Sequence, residues 1–132
     1  MIRGIGIDIT EIPRIQKMIA RWDRRFAQKV FTQREIDLCA SKPNFAHSIA
    51  ARWAAKEAFS KALGTGWDTA FRWKEIEILT DPKGKPVMLL SGNMQKAVAG
   101  AYVHVSLSHS NENAIAVVII EEQESFSTNN RR

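Results

Sequence analysis

A helical segment in the middle of the chain sets one carboxylate and one ammonium among small apolar residues. Trp53, Glu57 and Lys61 follow one another at intervals of four residues. At about 100° per residue, this spacing puts the three side chains on one side of a helix. Two interpretations are open. The pair is either a solvated Glu-to-Lys contact, which stabilises a helix by roughly 0.3 kcal/mol, or it is directed at a ligand that carries phosphate and metal.

Two more residues of similar chemistry lie at the ends of predicted strands. Asp8 follows two glycines on one face of a strand over residues 2–9, and His109 ends a strand over 102–109. Asp8 and Glu57 together make a minimal magnesium site, because magnesium takes one or two protein carboxylates and completes its shell with water and phosphate oxygens. The ordinary alternatives are a solvent-facing aspartate and a turn histidine. The opposite strand face, expected to meet the core, carries Ile5, Ile7 and Ile9.

A basic stripe is predicted on the helix that follows this strand. Thr10 is expected to N-cap the helix, which begins near Glu11. Apolar residues recur on one face at helical spacing, and cations with one methionine recur on the other. Such a stripe is usually a solvated face, but four cations without an acid also suit docking of a negatively charged partner. The stripe consists of Arg14, Lys17, Met18, Arg21 and Arg25.

The remaining pattern predicts an α+β fold in which a mostly antiparallel sheet packs with helices. We expect a single domain over residues 1–120 and a polar, frayed tail over 121–132. The last strand is nearly continuously apolar, which is typical of a central strand. The predicted elements are a capping-box helix from Thr32 to Ala40, a helix from Asn44 to Leu63 that Gly64 ends, a hairpin of strands 75–79 and 87–90, a short helix over 91–100, and strands 102–109 and 114–120.

Composition restricts the class of protein further. The chain has 132 residues, a net charge of +5 and one cysteine, Cys39. A single cysteine excludes an internal disulfide and fits the reducing cytoplasm. No stretch approaches the roughly 20 apolar residues of a membrane span, and the N-terminus lacks the pattern of a signal peptide. The positive charge indicates an acidic partner, which is a nucleic acid, a phosphorylated small molecule or an acidic protein.

Two motifs together resemble the paired signature of the 4'-phosphopantetheinyl transferases. They are Gly6-Ile7-Asp8 and the run from Trp53 to Ala58, which includes Lys56 and Glu57. The resemblance extends over residues 1–120 and is closest to the short, single-module bacterial form. It implies a magnesium-dependent transferase that moves the phosphopantetheine arm of coenzyme A to a serine of apo-acyl carrier protein. Adenosine 3',5'-bisphosphate is released, and the reaction serves fatty acid biosynthesis. Further matching segments are Glu11 to Arg14, Phe31 to Glu35, Lys56 to Gly66, Gly84 to Pro86 and Val105 to His109.

The same resemblance implies roles for individual residues. Asp8 and Glu57 would bind magnesium, and Lys61 would contact phosphate as a third catalytic residue. The identity of the general base stays open, and Glu57, acting directly or through a bound water, is one candidate. The alanines beside Glu57 are expected to leave room for substrate. The implied coenzyme A contacts are Lys61, Gly84, Pro86 and His109, and the implied docking residues for the acidic carrier are Arg14, Met18, Arg21 and Arg25.

Oligomeric state and two competing functions complete the expectations. The resemblance implies a cytoplasmic homotrimer with active sites between neighbouring subunits. One alternative is a non-enzymatic module that binds the carrier or the coenzyme, but it would not need Asp8, Glu57 and Lys61 together. Another is a nucleic-acid-binding domain, which should expose aromatic residues among its cations. Trp22 and Phe26 are expected to be core residues instead, and we expect neither a nucleic acid nor a membrane as partner.

Overall fold

Five helices and five antiparallel strands make up the part of the chain, residues 1–124, that the computed structural model describes. The fold is α+β, as the sequence predicts. Most of the predicted tail lies outside the described residues, although Glu121 still belongs to the last strand. The elements are β1 (Ile2–Glu11), α1 (Ile12–Ala20), α2 (Arg24–Val30), α3 (Gln33–Ala40), α4 (Phe45–Leu63), a 3₁₀ turn (Trp73–Glu75), β2 (Ile76–Thr80), β3 (Pro86–Leu90), α5 (Gly92–Val98), β4 (Tyr102–His109) and β5 (Asn113–Glu121).

The larger sheet has the strand order β1-β5-β4, and both outer strands run antiparallel to β5. The prediction that the last strand is central is therefore confirmed. Its alternate residues Ala116, Val118 and Ile120 are fully buried in the core that also contains α4. The predicted hairpin is also present, because β2 and β3 form a separate antiparallel pair with Thr80 opposite Pro86.

Strand β1 and helix α4 touch through their backbones. A Cβ atom added at Gly4 would overlap the carbonyl oxygen of Ala62, and one added at Gly6 would overlap that of Ala58. Only glycine allows a strand and a helix to come this close. The expectation that the alanines leave room for substrate is wrong, because Ala58 and its neighbours on the same stripe are fully buried and the strand occupies that space.

The isoleucines of β1 point away from the helices, so the prediction that they face the core is wrong. Ile5, Ile7 and Ile9 are 62%, 60% and 62% exposed. Alternation along a strand sends successive side chains to opposite faces. Since α4 packs only against the glycine face, the isoleucines lie on the open face of the sheet. Ile115 of the neighbouring strand β5 is also exposed and extends this apolar surface.

Side-chain caps define several helix ends. The capping box of Thr32 and Glu35 is present at α3, and Asn44 accepts the backbone N–H of His47 at the start of α4. Gly64 ends α4 in the left-handed conformation, with a φ of 81°. These three predictions are confirmed.

The predicted start of the first helix is wrong. Glu11 is the N-cap of α1, and Thr10 remains in β1. The basic stripe is likewise not on one helix, because α1 ends at Ala20 and Asp23 caps a new helix, α2. The aspartate accepts the N–H of Arg25 and so satisfies a free donor of α2. Arg25 therefore lies on a different helix from Arg14.

Cys39 is a buried apolar residue of α3, as the sequence predicts. Burial is the main cause that raises the pKa of its thiol to about 11. None of the helices in the described part of the chain combines the length and apolar character that a membrane crossing requires.

The backbone contact predicts a large penalty for a methyl group at Gly6. Gly6→Ala is expected to destabilise the fold by about 3 kcal/mol or more, because the strand and helix must separate. Gly64→Ala is the control: its methyl meets no atom within 4 Å, so only the left-handed backbone costs about 1 kcal/mol. Urea denaturation measures the free energy of unfolding of both variants. Equal losses of stability in the two variants would contradict the close contact.

Candidate active site

The contact between β1 and α4 brings three predicted site residues together. Asp8 leaves the glycine face of β1 toward α4, and Lys61 lies one turn beyond Glu57 on that helix. The Lys61 ammonium donates to Asp8 Oδ1 at 3.2 Å and to the carbonyl oxygen of Ile7 at 3.0 Å. Lys61 is thus held against β1 by a carboxylate and a backbone acceptor.

Glu57 has a perturbed carboxyl group. Burial and then the charge of Asp8 raise its pKa above the ordinary value, while Lys61 and Arg14 oppose the rise. The Asp8 effect shows that the two carboxylates sense each other's charge. A cation bound near both carboxylates would reduce this repulsion.

The second oxygen of Asp8 has its own partner. Thr10 Oγ1 donates to Asp8 Oδ2 at 3.0 Å. Thr10 is nearly buried, with 7% of its surface exposed. Both oxygens of Asp8 therefore have a defined contact, one with an ammonium and one with a hydroxyl group.

The two carboxylates open into a cavity of about 660 Å³, and Lys61 is not among the residues that line it. Asp8 and Glu57 line it together with Arg14 and Met18 of α1. Trp67, from the loop after α4, also contributes to the wall. Two predicted metal ligands and two of the predicted docking residues thus line the same cavity.

The predicted coenzyme residues Gly84, Pro86 and His109 do not line this cavity. Gly84 lies in the turn of the β2–β3 hairpin with a φ of 85°. Pro86 lines a separate recess of about 310 Å³ between β3 and β4. His109 packs edge-on against His47, with ring centroids 5.3 Å apart. Within one chain these residues are separate from the carboxylate pair.

Two carboxylates are a donor set that suits magnesium. Within residues 1–124 there is no cluster of three or more His, Cys, Asp or Glu side chains that would hold a metal ion. Magnesium needs only one or two carboxylates when phosphate oxygens and water supply the rest. Asp8 and Glu57 meet this requirement.

A buried ion pair beside the site was not predicted from the sequence. The Lys56 ammonium donates to Glu35 Oε1 at 2.7 Å, to the carbonyl oxygen of Val30 at 2.6 Å and to that of Trp73 at 3.0 Å. Burial lowers the pKa of Lys56, and the charge of Glu35 opposes that shift. The capping box predicts that the Glu35 carboxylate accepts the backbone N–H of Thr32, which it does. The same carboxylate also accepts the backbone N–H of Ile78 at 3.0 Å.

A row of aromatic rings packs around Trp53 and Trp73. Trp53 stacks on Trp73 with centroids 5.1 Å apart, and Phe26 lies 6.5 Å from Trp53 on the other side. Trp67 meets Trp73 edge-on at 5.2 Å. The prediction that Phe26 is a core residue is wrong, since it is 39% exposed at the end of this row. Trp22 is half-buried between Phe31 and Phe45.

Comparison with known proteins identifies the family. The model of the 4'-phosphopantetheinyl transferase superfamily matches residues 4–118, so the chain belongs to this superfamily. The similar proteins within it are named holo-[acyl-carrier-protein] synthases. One, from Halothermothrix orenii, is 45% identical over 125 residues, which cover 92% of this chain and 99% of that protein.

Solved structures agree with this assignment. The holo-[acyl-carrier-protein] synthase of Neisseria meningitidis superposes with a TM-score of 0.83 at 33% identity, covering 92% of this chain and all of that one (100%). The Bacillus anthracis enzyme, solved in complex with CoA (3',5'-ADP), gives a TM-score of 0.78 at 38% identity and covers 93% and 99% of the two chains. The resemblance seen in the motifs is confirmed.

Proposed function

We propose that this chain transfers the 4'-phosphopantetheine group of coenzyme A to a serine of apo-acyl carrier protein. Holo-acyl carrier protein and adenosine 3',5'-bisphosphate are the products, and the reaction supplies fatty acid biosynthesis. The observation that carries the proposal is the meeting of Asp8 and Glu57 in one cavity with Arg14 and Met18. The superfamily match and the coenzyme-bound relative support it.

Asp8 and Glu57 are proposed to hold magnesium against the pyrophosphate of coenzyme A. The ion would supply positive charge where negative charge develops on the phosphate oxygens and on the leaving group. The serine oxygen forms a bond to the β-phosphorus, and the bond from that phosphorus to the bridging oxygen breaks, so the bisphosphate leaves with that oxygen. Lys61 contacts the phosphate oxygens from the next turn of α4.

The serine proton needs an acceptor in this cavity. We propose Glu57 as that acceptor, because its carboxylate lines the cavity. It acts either directly or through a bound water. The choice between these two routes does not alter the roles of Asp8 and Lys61.

The active site is proposed to be completed by a neighbouring subunit. In one chain the predicted coenzyme residues lie outside the carboxylate cavity. A homotrimer would bring Gly84, Pro86 and His109 of one subunit to the Asp8 side of the next. The open face of the sheet supports such an assembly, because its exposed isoleucines form an apolar surface that water would otherwise contact.

The basic surface is proposed to bind the carrier protein. Arg14, Arg21 and Arg25 are exposed, and half-buried Met18 lies beside them. Exposed Phe26 adds an apolar group at the same place. Carrier proteins are acidic around the serine that is modified, so the charges are complementary. Charge of this kind mainly speeds encounter and makes binding sensitive to salt. The proposed location of the enzyme is the cytoplasm.

Loss of the Glu57 charge is the first test. Glu57→Gln is expected to reduce transfer at least about 1000-fold, because it removes a metal ligand and the proton acceptor. The mass gain of apo-carrier protein, incubated with coenzyme A and magnesium, measures transfer. Glu11→Gln is the control, since Glu11 lines the same cavity and makes no side-chain cap contact. Near-normal transfer by Glu57→Gln would rule out the metal assignment.

The docking surface is tested by a double substitution. Replacing Arg21 and Arg25 with alanine is expected to raise the KM for the carrier about fivefold, from the loss of two exposed charge contacts. The KM for coenzyme A should stay within twofold, and the salt dependence of kcat/KM should weaken. Lys96→Ala, which removes an exposed cation of α5, is the control. Equal changes in both KM values would remove the docking proposal.

Assembly is tested on the open face of the sheet. Light scattering is expected to give three times the chain mass of 14.9 kDa for the unaltered protein. Ile7→Lys should give a single chain mass and lose transfer, because a charge replaces an apolar contact. Leu89→Lys is the control, since Leu89 is an exposed apolar residue of the other sheet. A monomeric, fully active unaltered protein would contradict the trimer.

A further inference from the structure

We propose that Thr10 is a positioning residue that fixes the orientation of the Asp8 carboxylate. The inference rests on the proposed function, because it concerns how Asp8 is presented to a divalent cation. The proposed role belongs to the hydroxyl group of Thr10, which acts through Asp8 and contacts neither metal nor substrate.

The strand geometry places the two side chains together. Residues two apart on a strand point to the same face, so Thr10 and Asp8 both project from the α4 side of β1. Backbone pairing of Thr10 with Ala114 of β5 fixes the position of its Cα atom. Threonine is branched at Cβ, and this restricts its χ1 angle. The hydroxyl oxygen therefore has a defined place relative to Asp8.

The direction of the hydrogen bond follows from the chemistry of the partners. An ionised carboxylate only accepts hydrogen bonds, so Thr10 Oγ1 donates to Asp8 Oδ2 across 3.0 Å. The χ2 torsion of aspartate is otherwise broad and roughly two-fold. With Oδ2 held by Thr10, Oδ1 is directed to the side where Lys61 lies. A ligand oxygen held in this way loses less freedom when it binds a cation.

Packing alone does not explain a threonine at this position. Thr10 is a nearly buried strand residue at the wall of the cavity and does not cap α1, since Glu11 occupies that position. Valine has almost the same shape and is also favoured in strands. A buried hydroxyl is costly unless it is hydrogen-bonded, and the partner that this hydroxyl has is Asp8. The position thus retains a polar atom whose observed contact is with the proposed metal ligand.

The experiment compares valine and serine at position 10. Manganese binding in the presence of coenzyme A is measured by the electron paramagnetic resonance of free Mn²⁺, and transfer is followed in parallel. Thr10→Val is expected to weaken Mn²⁺ binding about tenfold, the usual effect of losing an outer-shell partner. Thr10→Ser keeps the hydroxyl and should bind Mn²⁺ within about threefold of the unaltered protein. The thermal unfolding midpoints of the folded variants should not rank in the same order as their Mn²⁺ affinities.

Two comparisons keep the outcomes distinct. Asp8→Asn tests the metal site itself: if it binds Mn²⁺ as tightly as the unaltered protein, the proposed metal site fails and the Thr10 proposal fails with it. If Asp8→Asn loses binding while Thr10→Val keeps it, the Thr10 proposal alone is overturned. Should Thr10→Val not fold, Thr10→Ala and Thr10→Ser make the same comparison. Tighter binding by serine supports the proposal, and equal binding overturns it.

Discussion

The backbone contact between β1 and α4 is the constraint on which the site depends. Gly4 and Gly6 let the strand rest on the carbonyl oxygens of Ala62 and Ala58. At that separation Asp8 reaches Lys61 and affects the pKa of Glu57. A strand with larger residues on this face would stand farther from the helix, and the two carboxylates would move apart. The lack of a Cβ atom at these two glycines thus sets the geometry of the charged residues that follow them.

The Lys56–Glu35 pair fixes the same helix from the other side. Its hydrogen bonds join α4 to the end of α2, to the start of α3, to β2 and to the 3₁₀ turn. A fully buried ion pair adds little net stability, because desolvation offsets the attraction, but loss of one partner costs about 3–5 kcal/mol. The pair therefore links α4 to four neighbouring segments. Glu57 is the next residue on α4, and its side chain lines the cavity.

Local patterns predicted the elements well, and long-range contacts explain the misses. The α3 capping box, the Gly64 stop and the central strand follow from short-range rules that need no tertiary information. Alternation divided β1 into two faces but could not say which was buried, because the answer depends on α4. Thr10 has the chemistry of an N-cap, yet its hydroxyl bonds back to Asp8 within the strand. The motifs singled out Asp8, Glu57 and Lys61, which the fold brings close together. No spacing in the sequence indicated that Glu35 pairs with Lys56.

The burial of Cys39 has a consequence for a protein proposed to handle coenzyme A, whose arm ends in a thiol. Attack on a disulfide requires a thiolate. With its pKa raised to about 11, Cys39 is almost entirely protonated at neutral pH, and the core closes over its sulfur. It is the one cysteine of the sequence. The one cysteine of the sequence is therefore protected from forming a mixed disulfide with oxidised coenzyme.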